Sequence, residues 1–183
     1  MSAFIVVEGK EDEEFLNSYI RFLGLFDSVY SLRGINGKDN LAGFRNELSP
    51  KRLKREGCSK VLIIFDADSN CIETANIIEQ NLASISPNGI FLFPDNKSEG
   101  MLEDLLEKIV RPEYENIFEC FEQYKECLSA KNSTYRHPDL KGKVFAYMDA
   151  LEKNREQWFK QEYWDFDSSH LEPLKGFLEK HLG

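Results

Sequence analysis

Two acids stand two residues apart, directly behind an apolar run, in KVLIIFDADSN at 60–70. In an extended backbone Asp66 and Asp68 project from one face, about 7 Å apart at their α-carbons by the rise of a strand, and make a pincer for a hard cation. The bland alternative is a strand that ends in turn-forming Asp. Three more acids hold comparable places: Glu8 follows an apolar run at 4–7, Asp12 lies one helical turn further on, and Glu103 follows a run at 89–93 and its polar loop. Carboxylates gathered at one rim repel each other unless a cation neutralises them. An oxygen-only donor set suits Mg²⁺ or Mn²⁺, ions that commonly bridge carboxylates to phosphate oxygens.

These acids need a scaffold that brings strand ends together. The run at 61–65 is unbroken and rich in β-branched residues, which suits a strand buried on both faces of a parallel sheet. FIVV at 4–7 reads the same way, with Glu8-Gly9 ending it and Gly9 free to turn sharply. A helix is predicted over 12–25 from Phe15, Leu16, Tyr19, Ile20, Phe22 and Leu23, with acids in its first turn. Residues 28–32 and 89–93 read as two further strands. A glycine-bearing loop at 33–38 leads to a helix face of Leu41, Phe44 and Leu48, which Ser49-Pro50 ends or interrupts. Ile72, Ala75, Ile78 and Leu82 stripe a helix over 72–85. Strand and helix alternate, which predicts an α/β fold: a doubly wound, mainly parallel sheet of about four strands flanked by helices, with ligands at the carboxyl ends of the strands.

From Pro112 onward the texture is helix after helix, with apolar faces at Tyr114 to Leu128, Val144 to Leu151 and Leu171 to Leu182. The division expected is a core over 1–110 and a helical C-terminal layer over 111–183 packed on it. Trp158, Phe159, Tyr163, Trp164 and Phe166 are either the core of that layer or a platform on which bases stack.

Composition excludes more than it assigns. Net charge is −9, from 23 basic and 32 acidic residues, against a protein that coats nucleic acid nonspecifically. A local basic patch remains: Lys51, Arg52, Lys54, Arg55 and Lys60 crowd one segment, with Arg33, Lys38 and Arg45 just upstream, as a phosphate-binding strip or a solvated helical face. Cys58, Cys71, Cys120 and Cys127 form no C-x-x-C pair and three histidines are too few to suggest zinc. No apolar run approaches the ~18 residues of a membrane span, and the chain opens without a basic leader segment, so a cytoplasmic protein that engages no membrane is expected.

Glu8-Gly9 after the first strand, Asp66-x-Asp68 after the third and Gly100-Met101-Leu102-Glu103 after the fourth resemble the TOPRIM domain, in the form found in OLD-family nucleases and small stand-alone relatives. The resemblance covers residues 3 to about 110 and extends more weakly to Lys141-Gly142-Lys143, where such relatives carry a lysine on a helix. It implies that Glu8, Asp66, Asp68 and Glu103 hold one or two divalent ions, with Asp12 at the acidic position a turn after the first motif. Lys143 would stand near the scissile phosphate, with Lys141 a competing choice. OLD-type nucleases carry an ATPase domain ahead of this region, whereas this chain has no G-x-x-x-x-G-K-[ST] loop, so ATP gating would need an ATPase partner protein.

The reading that follows is a Mg²⁺-dependent nuclease or related phosphotransfer enzyme on nucleic acid, with Glu8, Asp66, Asp68, Glu103 and Lys143 catalytic and Arg33, Lys38, Arg45, Lys51, Arg52, Lys54 and Arg55 gripping the backbone. Two ions about 4 Å apart would activate a water and stabilise the leaving oxygen. Two alternatives stand beside it. DADSN resembles the D-x-D-x-T start of haloacid-dehalogenase-type phosphatases, although it follows the third strand and Asn70 stands where Thr is expected. The other is a metal-binding, non-catalytic subunit of a larger nucleic-acid-processing or defence complex, which the acidic charge favours.

Overall fold

A computed structural model describes residues 2–25 and 30–183. Four strands, β1 (Ala3–Val7), β2 (Tyr30–Gly34), β3 (Lys60–Asp66) and β4 (Gly89–Phe93), form one all-parallel sheet in the order β2-β1-β3-β4. The chain moves outward from β1 to β2, then returns across β1 to add β3 and β4. The order therefore reverses between β1 and β3, and the ends of those strands flank the crevice where open α/β sheets place ligands.

Side chains alternate between two buried clusters. Ala3, Ile5 and Val7 of β1 and Leu62 and Ile64 of β3 face one; Phe4, Val6, Val61, Ile63 and Phe65 face the other. Burial on both sides is the physical reason these strands are apolar throughout. The first face is covered by α1 (Lys10–Phe22), through Phe15, Leu16, Tyr19 and Ile20, and by α5 (Leu102–Lys108). The second is covered by α2 (Leu41–Phe44), α4 (Cys71–Asn81) and the segment leading into α3 (Pro50–Arg55), through Leu41, Leu48 and Ile78.

The tail contributes α6 (Glu115–Lys131), α7 (Leu140–Leu151) and α8 (Glu172–Leu182). Val144, Tyr147, Trp158, Trp164 and Leu174 belong to the same cluster as α1 and the first sheet face. Trp158 and Trp164 are 2% and 0% exposed, so these rings are core and offer no platform for bases. Among the described residues no helix is long and apolar enough to cross a membrane.

Several local differences from the expected elements have identifiable causes. Helix α1 begins at Lys10 rather than 12, because the Asp12 carboxylate accepts the Gly9 N–H at 2.7 Å and caps the helix there. The strand expected over 28–32 lies partly outside the described residues, and β2 runs on to Gly34. The helix face at 41–48 splits into α2 and a 3₁₀ turn, after which Pro50 opens α3 at its first position, where a missing N–H costs nothing. Ile72 is 76% exposed, so the apolar stripe of α4 starts a turn later than its spacing suggests.

Candidate functional site

Glu8 follows β1, Asp66 ends β3, and both line a cleft of about 320 Å³ at the switch between the two strands. Lys10, Glu11 and Asp12 from the first turn of α1, Glu103 from the first turn of α5, and Lys141 from the first turn of α7 complete its charged lining. Three helices therefore start at the sheet's rim, each presenting its first turn to the acids. Gly34 lets the elements approach: a Cβ there would lie 3.0 Å from the Gly9 carbonyl oxygen, and its own N–H donates to Glu13 at 3.1 Å.

Each carboxylate is positioned by a named donor. Asp66 Oδ1 accepts the Leu102 N–H at 2.8 Å, which ties the end of β3 to the start of α5. Glu8 accepts the Lys38 and Asp66 N–H groups, each at 3.3 Å. Glu103, 7% exposed, stands 3.6 Å from Lys141 Nζ. Asp104 performs for α5 what Asp12 does for α1, accepting the Met101 N–H at 2.8 Å, and it approaches Gly100 so closely that a Cβ would sit 2.7 Å from its Oδ2. Gly100 has φ +134, which also requires glycine.

Crowding perturbs these groups. Burial, then the neighbouring charges of Asp12, Glu8 and Glu103, push the Asp66 carboxyl up to about 8 in spite of the Leu102 hydrogen bond. Burial, with Glu8 and Glu103, pushes Asp12 up to about 6 against the pull of Gly9 N–H and Lys141. Burial alone would lower the Lys141 ammonium, but Glu103, Glu11, Asp12 and Asp66 hold it above its ordinary value. The cleft's surplus of negative charge thus raises the proton affinity of both Asp66 and Asp12.

Glu8, Asp12, Asp66 and Glu103 meet in the cleft, while Asp68 does not line it. Asp68 leaves strand geometry with φ +51, exchanges two backbone hydrogen bonds with Gly100 at 2.8 and 2.7 Å, and pairs its carboxylate with Lys38. The extended i, i+2 pincer expected of Asp66 and Asp68 therefore does not form.

Lys143, expected near the acids, pairs instead with Glu107 at 2.8 Å and Glu122 at 3.1 Å and lies over the Phe118 ring. The two lysines leave α7 in different directions because i and i+2 are about 200° apart on a helix; Lys141 faces the cleft.

The basic strip also divides. Arg33 and Arg52 share Glu47, and Arg52 also reaches Glu56, so much of their charge is spent locally. Lys54 lines a separate groove with Cys58, Ser59 and Val61, at the opposite end of β3. Seven strand residues put that groove about 20 Å from Asp66. Lys51, Arg55 and Arg45 are exposed. Among the described residues, Lys38 is the member of the expected strip that pairs with one of the expected site acids, Asp68.

Oxygen-only donors match a hard divalent ion in chemistry. The placement does not yet match: among the described residues no three His, Cys, Asp or Glu groups converge closely enough to hold one. Sequence reading missed Glu11 and Asn36 as parts of the cleft and the Leu102 N–H as the donor that holds Asp66. Of these only Glu11, an acid in the first turn after a strand, leaves a trace in the sequence; the cap formed by Asp104 three residues past Met101 leaves another.

The cleft draws on residues from Glu8 to Lys141, so any kinship that bears on it must take in both the sheet and the tail. No curated protein and no solved structure matches the chain. A family match does extend over residues 2–183, and by it the chain belongs to the family described as "Protein of unknown function (DUF3226)".

Proposed function

We propose that the chain is a cytoplasmic, Mg²⁺- or Mn²⁺-dependent nuclease or related phosphotransfer enzyme acting on nucleic acid. The observation that carries this reading is the gathering of Glu8, Asp12, Asp66 and Glu103 at the β1/β3 switch point, crowded enough to shift two of them well above the carboxylate range. Shifts produced by burial together with specific neighbouring charges, in groups that line a cleft, are the pattern expected of a functional site. The resemblance of Glu8-Gly9, Asp66-x-Asp68 and Gly100 to Glu103 to the TOPRIM pattern supports the same chemistry. A divalent ion bound there would neutralise the acids and polarise a phosphate oxygen.

The chain's own groups do the rest. Leu102 N–H orients Asp66, Gly9 N–H orients Asp12, and Lys141 offers a positive charge to a phosphate entering beside Glu103. Lys10, 73% exposed at its side chain, stands where a phosphate backbone would pass. In a cleavage assay with Mn²⁺ on single- and double-stranded DNA and RNA, Asp66→Asn and Lys141→Ala should each lower the rate at least tenfold, and Lys141→Ala should leave Mn²⁺ binding intact. Activity unchanged in Asp66→Asn would remove the reading.

The lack of three converging ligands, together with the acidic charge, favours one second reading: a metal-binding subunit whose catalysis, or ATPase gating, comes from a partner protein. Mn²⁺ binding without cleavage of a phosphodiester or of a small phosphomonoester would select it. Turnover of the phosphomonoester alone would instead select the phosphatase.

A further inference from the structure

We infer that the outward face of α6 is an interface on which a second copy of this chain packs its own α6, running antiparallel. An isolated helix of this length is marginal in water, and a helix in a folded protein owes its stability to burying one face. In α6, 17 residues long, no described residue is buried. Its inner side is held by the Phe118 ring, 5.3 Å from that of Tyr147, and by Glu122, which pairs with Lys125 and with Lys143 of α7. Its outer side carries Cys120, Tyr124 and Cys127, each about one helical turn from the last and all exposed, Tyr124 by 51%. Cysteine packs as a small apolar residue, so this spacing makes a seam of the kind that pairs helices.

Charge at the two ends of the seam selects its occupant. Glu113, in the turn that leads into α6, and Lys131, its last residue, continue the same line at the helical period, and both are exposed. Neither has an ion-pair partner among the described residues. A seam with an acid at one end and a base at the other is complementary to itself only when reversed. A parallel copy sets like charge on like at both ends. An antiparallel copy, with its twofold axis level with Glu122, sets each Glu113 against Lys131 of the other copy and Cys120 beside Tyr124. Such a contact is isologous, so it closes at a dimer and leads to no filament. A helix of 17 residues is about 25 Å long, so one pair of seams stays below the ~1,200 Å² of a standard interface, and the dimer should depend on concentration.

The test is sedimentation velocity of the full chain at rising concentration, where wild type should pass from monomer to dimer by hundreds of micromolar. Glu113→Lys and Lys131→Glu should each weaken the dimer about tenfold, since each turns two attractions into two repulsions, and both changes in one chain should restore it. Tyr124→Asp should abolish it, and thermal melts check that these exposed substitutions leave the fold intact. A short bismaleimide reports direction in a Cys71→Ser background. Cys127→Ser, which keeps Cys120, should cross-link into dimers, because the two Cys120 lie about 6 Å apart along the helix axes. Cys120→Ser, which keeps Cys127, should not, because the two Cys127 lie about 15 Å apart. A monomer at every concentration overturns the interface. Single reversals without effect, or a double reversal that fails to restore the dimer, overturn the contact between Glu113 and Lys131. Cross-linking through Cys127 as ready as through Cys120 overturns the antiparallel arrangement.

Discussion

In the tail, Trp158 Nε1 donates to the Glu152 carbonyl at 2.9 Å, Trp164 Nε1 to the Trp158 carbonyl at 2.8 Å, and the Tyr147 hydroxyl to the Tyr163 carbonyl at 2.5 Å. Each of these three donors has one neutral acceptor, inside a packed block of rings. At the rim of the sheet, by contrast, five carboxylates share the cleft with Lys10, Lys141 and backbone N–H groups, and burial and like charge raise the proton affinity of Asp66. The tail is arranged for stability and the rim against it. A protein tolerates such a rim when the site has a use for stored repulsion and a rigid block nearby holds the elements in place. Here α7 belongs to both regions: Val144 and Tyr147 anchor it in the core, and Lys141 in its first turn serves the rim.

The contrast is broken most severely from the tail side. Trp164→Ala removes a fully buried ring and should cost about 3–5 kcal/mol, read as a fall in denaturant midpoint and melting temperature. A loss under 1 kcal/mol would mean that the tail does not support the sheet.

At the rim the sign should reverse. The folded-state value of Asp66, about 8, lies above its unfolded value of about 4, and Asp12 is shifted in the same direction to about 6. The folded state therefore holds protons more tightly, its stability is full below about pH 4, and it declines as pH rises through about 8. Melts of the metal-free protein across that range should lose on the order of a few kcal/mol. Asp66→Asn, which retains an oxygen for the Leu102 N–H, should flatten the decline and stabilise the protein at the alkaline end. A steeper decline in the variant would show that the repulsion lies elsewhere.

Millimolar Mg²⁺ or Mn²⁺ should sharpen the contrast in the other direction. A ligand that binds only the folded state raises the melting temperature by about 2.7 kcal/mol worth of stability at a hundredfold excess over its Kd. The rise should be larger near pH 8 than near pH 5, since protonated carboxyls do not coordinate, and it should be absent in Asp66→Asn.

The smallest effects belong to residues at the border of the two regions. Lys143→Ala breaks pairs with Glu107 and Glu122 and a contact with the Phe118 ring, so it should cost up to about 1 kcal/mol while sparing cleavage and metal binding. Asp68→Asn should shift metal-free stability by no more than about 1 kcal/mol, because its partner Lys38 forms a half-exposed pair. A rate loss in Lys143→Ala as large as that in Lys141→Ala would move the site lysine to Lys143.

By itself the sequence determined the elements and their class, because those depend on near neighbours. Apolar runs at 4–7, 61–65 and 89–93 specify strands buried on two faces, strands alternating with helices specify a parallel sheet, and parallel strands bring Glu8 and Asp66 to the same end. Boundaries moved where a cap or a proline decided them, as at Asp12 and Pro50. The tertiary structure alone decided which charges meet. Asp66 and Asp68 look like a pair in one dimension, but a left-handed backbone at Asp68 and a bridge to Gly100 send the second acid to Lys38. Lys141 and Lys143 look interchangeable, but the packing of Val144 and Tyr147 sets the rotation of α7 and turns Lys141 to the acids. Local periodicity carries no information about a partner thirty or more residues away; that depends on how elements rotate as they pack, and packing is a property of the whole chain.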